Sequence, residues 1–211
     1  MGDRLLNEES LDSVKIVLIG DSGVGKTCIA KAFESVEFTE KEPTIGSEVH
    51  SKAIYCQNGK KVMVHLWDTS GQEKFHSLAP LYYRNAGVII FVFDPHIPET
   101  FQNIKTWLNE LDQLIIESPI IALASTKHDL DSDILVSEDE IRSTARKRNA
   151  EIYQTSAKNN DGIQEMFAAV TQEAYDKKKF ERLNLYLNNE IRITSKDSHK
   201  LVGKKPTQGC C

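Results

Sequence analysis

The 211-residue chain predicts an α/β fold: a six-stranded, mostly parallel sheet with one antiparallel edge strand and helices on both faces. Three observations lead there. Residues 16–19, 87–93 and 119–124 are short runs apolar on both faces, as in parallel strands covered from both sides. Segments with helical spacing alternate with these runs, and such alternation joins parallel strands by right-handed crossovers. Finally, Asn58-Gly59 links two strand patterns at 48–57 and 61–67, a hairpin signal that supplies the antiparallel edge. Sheets of this kind bind ligands beyond the carboxyl ends of their strands.

Taken in order, the strand at 16–19 runs into Gly-Asp-Ser-Gly-Val-Gly-Lys-Thr at 20–27, and a helical pattern follows through Cys28, Ile29, Ala30 and Phe33. Residues 34–46 are polar, broken by Pro43, and read as a loop. After the hairpin, residues 68–73 form a second loop and 74–84 a short, irregular helix. Phe101, Ile104, Leu108, Leu111 and Ile115 carry helical spacing through 99–117. Ser-Glu-Asp-Glu at 137–140 matches a capping box and opens a helix to about Arg148. A short strand at 151–155 precedes a last helix that begins near Asp161, with Ile163, Met166, Phe167 and Val170 on one face. The expected organisation is a flexible segment 1–12, one domain over 13–188, and a flexible basic tail over 189–211.

Composition narrows the function. A net charge of −5 argues against general nucleic-acid binding, which wants a basic surface. The cysteines at 28, 56, 210 and 211 have neither zinc spacing nor a disulfide pattern, which fits a reducing, intracellular setting. The six histidines are scattered without metal-ligand spacing. Residues 1–11 are polar and acidic, unlike a secretory signal, and the apolar run at 86–93 is too short to span a bilayer. Gly2 does not begin a myristoylation motif, because Leu6 stands where Ser or Thr is required.

The chemistry lies in three loops. The first is G-x-x-x-x-G-K-T in strand–loop–helix context, a phosphate-binding loop. Asp21, Ser22, Gly23, Val24 and Gly25 can wrap phosphate with backbone N–H groups, helped by the positive end of the helix behind. Lys26 can reach the terminal phosphates and the Thr27 hydroxyl can ligate Mg²⁺. The second loop, Trp-Asp-Thr-Ser-Gly-Gln-Glu at 67–73, offers Asp68 as a Mg²⁺-side carboxylate, Gly71 as an N–H donor to a γ-phosphate, and Gln72 to orient an attacking water. The third, Thr126-Lys-His-Asp129, places a carboxylate where it can accept the N1–H and N2 amino hydrogens of guanine. Adenine lacks that donor pair, and discrimination of this kind reaches about 10⁴–10⁵. Ser156, Ala157 and Lys158 supply the other side of a base pocket.

Together these segments resemble the Ras superfamily of small GTPases, and within it the Rab family. The resemblance covers roughly residues 14–188 and the tail. It rests on the phosphate loop through Cys28, Thr-Ile-Gly at 44–46, Trp-Asp-Thr-Ser-Gly-Gln-Glu-Lys-Phe at 67–75, Tyr-Tyr-Arg-Asn-Ala at 82–86, Thr-Ser-Ala-Lys at 155–158, and Cys210-Cys211. It implies a P-loop small G domain that binds GTP and GDP with Mg²⁺ and hydrolyses GTP as a vesicle-traffic switch. Thr44 would be the switch I threonine, ligating Mg²⁺ beside Thr27, with Asp68 acting through water. Phe38 would cover the guanine edge, and residues 71–83 would form switch II. Expected partners are an exchange factor, an activating protein, a GDP-dissociation inhibitor or escort protein, and effectors. The domain itself is expected to be monomeric. Cys210 and Cys211 resemble a double geranylgeranylation signal, and two lipid chains anchor stably where one anchors marginally. That implies the cytoplasmic face of an intracellular membrane.

The sequence also departs from the family. Ser70 replaces the usual alanine, and Thr126 stands where most Rab proteins have asparagine, as in the Thr-Lys-x-Asp of the Rho branch. The switch I segment is one residue shorter than usual between Phe38 and Thr44. Ser-Glu-Val at 47–49 replaces Val-Asp-Phe, so Val49 takes the place of a phenylalanine that packs with the family tryptophan (Trp67) and tyrosine (Tyr82). An alternative reading is a GTP-binding module that hydrolyses poorly because of Ser70 and the altered switch I. A nucleotide kinase is disfavoured by Lys127, Asp129 and residues 156–158.

Overall fold

A computed structural model describes residues 12–35, 47–69, 79–114 and 118–179. The element order is β1 (Asp12–Ile19), α1 (Lys26–Glu34), β2 (Ser47–Tyr55), β3 (Lys61–Thr69), α2 (Ala79–Tyr83), β4 (Val88–Phe93), α3 (Pro98–Leu114), β5 (Ile120–Ser125), α4 (Glu138–Arg148), β6 (Glu151–Gln154) and α5 (Ile163–Asp176). The sheet runs β2-β3-β1-β4-β5-β6, antiparallel only between β2 and β3 and parallel between every other neighbouring pair. The predicted fold class, one antiparallel edge strand included, is what forms.

The strands alternate their apolar side chains between two cores. Val14, Ile16 and Leu18 of β1 pack with α1 and α5 on one face, where Phe33 and Phe167 meet with ring centroids 4.4 Å apart. Val17 and Ile19 point to the other face, among Phe101, Ile104, Trp107 and Leu108 of α3 and Ile141 and Ala145 of α4. Burying both faces of the central strands supplies the driving force at about 25 cal/mol per Å² of apolar surface removed from water.

Several boundaries differ from the sequence expectations. β1 starts at Asp12, four residues before the apolar run, because it pairs with β3 from Asp12↔Val62 onward. Lys15 is buried within it, its Nζ donating to the Arg84 carbonyl and lying 4.2 Å from the Trp67 ring centroid. β3 runs on through Asp68 and Thr69, which lie in the strand and not in the loop expected at 68–73. The hairpin is wider than a two-residue turn. Gly59 N–H donates to Cys56 O and Cys56 N–H to Lys60 O, so β2 ends at Tyr55, with Gly59 left-handed at φ 78°.

The capping box at 137–140 does not close. Ser137 precedes α4 in extended conformation without a side-chain cap, and the Glu140 carboxylate reaches across to Lys105 and Gln102 of α3. The helix forms where expected all the same, with three acidic residues in its first turn and three basic ones in its last, favourable to its dipole. Among the described residues no helix is long and apolar enough to cross a membrane.

Candidate functional site

The loop after β1 is shaped by what lies under it. A Cβ on Gly20 would come within 2.2 Å of the Val92 carbonyl oxygen, so β4 leaves room for glycine alone. Gly23 and Gly25 are left-handed at φ 78° and 103°, which turns the chain so that Gly25 becomes the N-cap of α1. That cap has no side chain to occupy the free N–H groups of the first helical turn, an arrangement suited to an anion. Ser22 and Gly23 are exposed, Val24 is buried, and Cys28 sits partly buried in the first turn of α1.

Lys26 lies across this loop. Its Nζ donates to the carbonyls of Gly20 (2.8 Å) and Asp21 (2.7 Å), and the side chain is only 5% exposed. Burial pushes its pKa down to about 8, against the attraction of Asp68 and Asp21, so the ammonium stays charged at neutral pH. The Asp21 carboxylate is tied outward by Asn103 of α3, whose Nδ2 donates at 2.8 Å.

Thr27 and Asp68 meet beside it. The Thr27 hydroxyl donates to Asp68 Oδ2 at 2.6 Å. Asp68 is fully buried, and among the described residues its Oδ1 has no hydrogen-bond partner. Burial raises its carboxyl above the ordinary value, opposed by the Thr27 hydrogen bond and the Lys26 and His50 charges. A buried carboxylate with one spare oxygen beside a hydroxyl is a hard-oxygen donor set. It fits Mg²⁺, which binds through one or two carboxylates, water and substrate phosphates more often than in an all-protein cage. Among the described residues no cluster of three or more His, Cys, Asp or Glu side chains forms such a cage.

The third loop closes onto the first. Thr126 is buried at the end of β5, and its hydroxyl lies 2.8 Å from the Val24 carbonyl and 3.0 Å from that of Phe93. The predicted base loop thus holds the phosphate loop directly. Lys127 is left-handed at φ 59° and pairs with Asp94 at 2.8 Å. Asp129 Oδ1 accepts the buried Ser156 hydroxyl at 2.6 Å, and Lys158 lies 3.9 Å from Oδ2. Ser156 and Asp161 exchange two backbone hydrogen bonds that close the 156–161 loop, and Ala157 packs against the α1–α5 core. His128 bridges back through its Nε2 to Ser125 Oγ at 2.8 Å, its pKa lowered chiefly by burial.

Asp21, Ser22, Gly23, Val24, Gly25, Lys26, Thr27, Cys28, Asp68, Thr126, Lys127, Asp129, Ser156, Ala157 and Lys158 therefore all come from loops, strand ends and the first turn of α1 at the carboxyl edge of β1, β3, β5 and β6. Phe38, Thr44, Ser70, Gly71, Gln72, Cys210 and Cys211 lie outside the described residues. Sequence reasoning passed over Asp94 and Asn103. Asp94 carries a readable signal, an acidic residue directly after a fully apolar strand, whereas nothing in the sequence marks Asn103.

Beside this edge lies an aromatic surface. Trp67 and Tyr82 stand 6.5 Å apart between ring centroids. Val49 is the direct cross-strand partner of Trp67 and is 48% exposed.

Comparison with known proteins agrees with this geometry. Residues 15–176 match the Ras family. The chain is 35% identical over 210 residues to the Ras-related protein SEC4 of Saccharomyces cerevisiae, covering 97% of this chain and 94% of that one. It is 33% identical over 192 residues to the Ras-related protein Rab-1D of Dictyostelium discoideum, covering 90% and 93%. It is 36% identical over 156 residues to the Ras-related protein Rab-21 of Mus musculus, covering 74% and 70%. A match that spans nearly the whole of both chains, on a sheet whose carboxyl edge gathers the G-x-x-x-x-G-K-T loop, a buried strand-end aspartate and the 126–129 loop, settles the family. The chain belongs to the Rab branch of the Ras family, the small GTPases that bind and hydrolyse GTP as switches in vesicle traffic.

Proposed function

We propose that this switch holds GTP and GDP at the carboxyl edge of the sheet, with Lys26 and the N–H groups of residues 21–28 on the phosphates and Asp129 on guanine. The observation that carries this reading is the junction of Thr126 with Val24. One hydroxyl contacts the phosphate loop, so the parts that take the two ends of one nucleotide are fixed relative to each other. Ser156 orients Asp129 by donating to Oδ1, and the carboxylate keeps acceptor capacity on both oxygens for the two donors of the base. Thr27 and Asp68 would hold Mg²⁺, together with Thr44. Mg²⁺, when bound, supplies charge neutralisation at the β- and γ-phosphate oxygens.

In hydrolysis, Gln72 positions the attacking water in line with the leaving group, and Lys26 stabilises charge on the β/γ bridge. Thr44 and the Gly71 N–H sense the γ-phosphate, so loss of that group releases both switch segments to partners that read the difference. No arginine stands in the phosphate loop or in residues 36–46 to act in cis. Intrinsic turnover is therefore slow, and a separate activating protein accelerates it by about 10³–10⁵. Val49 beside Trp67 and Tyr82 selects effectors suited to a shallower surface than a phenylalanine would build. An exchange factor and a GDP-dissociation inhibitor or escort protein complete the cycle. Geranylgeranyl groups on Cys210 and Cys211 tether the protein to the cytoplasmic face of an intracellular membrane.

A single-turnover GTP assay tests the reading, with wild type, Lys26→Ala and Gln72→Leu, each with and without candidate activating proteins. Wild type hydrolyses slowly and is stimulated, Lys26→Ala fails to retain nucleotide, and Gln72→Leu binds but loses stimulation. If wild type retains GTP and no activating protein stimulates it, the protein is a GTP-bound interaction module instead.

A further inference from the structure

Asp94 stands one residue beyond β4, nearly buried, in the turn that leads into α3. Its backbone is fixed by Thr100, whose Oγ1 accepts the Asp94 N–H at 3.1 Å and lies 3.0 Å from the Asp94 carbonyl oxygen. Three donors converge on the carboxylate. The His96 backbone N–H (3.0 Å) and Nδ1 (2.7 Å) reach Oδ1, and Lys127 Nζ reaches Oδ2 at 2.8 Å. An ionised carboxylate only accepts, so His96 carries its proton on Nδ1. Burial works to raise the Asp94 carboxyl, but the Lys127 and His96 hydrogen bonds outweigh it and hold the group below its ordinary value.

The far end of this network is unusual. Lys127 adopts a left-handed backbone, uncommon for a residue with a side chain, and is tethered by its ammonium to a carboxylate only 3% exposed. A charge pair with one desolvated partner holds its geometry far better than an exposed pair of flexible chains. Lys127 lies two residues before Asp129, so where its stem is held shapes the rim of the base pocket.

We propose that Asp94, braced by His96, is a positioning residue for the guanine contact: it fixes Lys127 at the rim of the base pocket and so sets how slowly nucleotide leaves. This rests on the nucleotide site proposed above. Asp94 and His96 lie outside the phosphate-loop and base-loop motifs, and they act through Lys127 without touching the nucleotide.

The test is release of fluorescent GDP, chased with excess unlabelled GDP at constant Mg²⁺, from the full chain. Asp94→Asn keeps an oxygen for the His96 N–H but turns an amide NH₂ toward Lys127, so release accelerates about tenfold, the effect of losing one hydrogen bond to a charged group. In a Lys127→Ala background the same substitution adds less than about twofold, because the group it positions is gone. His96→Ala accelerates release in wild type, and His96→Asn, which offers an N–H at the same distance along the side chain, restores it. An unchanged rate in Asp94→Asn overturns the proposal, as does a full tenfold effect in the Lys127→Ala background. Where Asp94→Asn does not fold, the His96→Ala and His96→Asn pair in both backgrounds makes the same decision. If wild type fails to retain labelled GDP, or Lys26→Ala retains it normally, the underlying site assignment falls instead.

Discussion

Replacing Thr126 by valine removes one hydroxyl while keeping a β-branched side chain of nearly the same shape. In the native fold that hydroxyl approaches two carbonyls, Val24 at 2.8 Å and Phe93 at 3.0 Å. The consequences for the two are unequal. Phe93 O also accepts the Thr126 backbone N–H at 3.0 Å, so it keeps a partner. Val24 O loses the Thr126 donor within a buried junction. One orphaned buried carbonyl costs about 1–3 kcal/mol. The valine methyl recovers some apolar burial, so a net loss of about 1–2 kcal/mol is expected in urea unfolding at fixed, saturating GDP. Because Val24 belongs to the proposed phosphate loop, the loss should also appear in function: GDP release accelerates about 5–30-fold, taking 1.4 kcal/mol per decade. A loss below about 0.3 kcal/mol with unchanged release would refute the view that Thr126 braces the phosphate loop. A loss of stability with unchanged release would confine its role to the end of the sheet.

Other perturbations give equally definite outcomes. Gly20→Ala forces a Cβ to 2.2 Å from the Val92 carbonyl, so β4 or the phosphate loop must move; thermal unfolding should show a loss of about 2–3 kcal/mol together with weakened nucleotide binding. Phe167→Ala empties the fully buried contact with Phe33 between α5 and α1 and should cost about 3–5 kcal/mol in denaturant unfolding, leaving the residues of the proposed nucleotide site themselves unaltered. Asp94 has a depressed carboxyl, so its stabilising contribution is complete above its ordinary pKa of 3.8 and is lost as pH falls through the lower folded value. Thermal scans below about pH 4 should therefore show a smaller acid-dependent decline for Asp94→Asn than for wild type. Removing Cys210 and Cys211 should shift the protein from membrane to cytosol on cell fractionation; persistent membrane association would refute the lipid-anchor proposal.

The motifs that the structure gathers at the carboxyl edge of the sheet are legible in the sequence because they are local and chemically narrow. A glycine loop between strand and helix, and short polar motifs at strand ends, need no tertiary information to be read. What it concealed was long-range. The polar residues Ser13 and Lys15 hid the first half of β1, which is held in place by pairing with β3. Glu140 looked like a local cap but is drawn across to Lys105 and Gln102, a choice that only the α3–α4 packing could reveal. Asn58-Gly59 correctly marked a hairpin, yet its width was set by where the Cys56 carbonyl found its donor. The function of Asp94 was hidden for the same reason, since its partner Lys127 lies on another strand's loop.

The end of α5 has a mechanical consequence. Lys179 follows that helix and donates from Nζ to the Ser118 carbonyl, just before β5, while its own carbonyl presses so close to Gly87, just before β4, that a Cβ there would lie 3.1 Å away. Both contacts are at the amino ends of the strands, and the phosphate loop is at their carboxyl ends. Lys179, the last residue the structure describes, therefore sits at the pole opposite the proposed nucleotide site. A force applied at Lys179 would act first on the amino ends of β4 and β5, on the side of the sheet away from the proposed nucleotide edge.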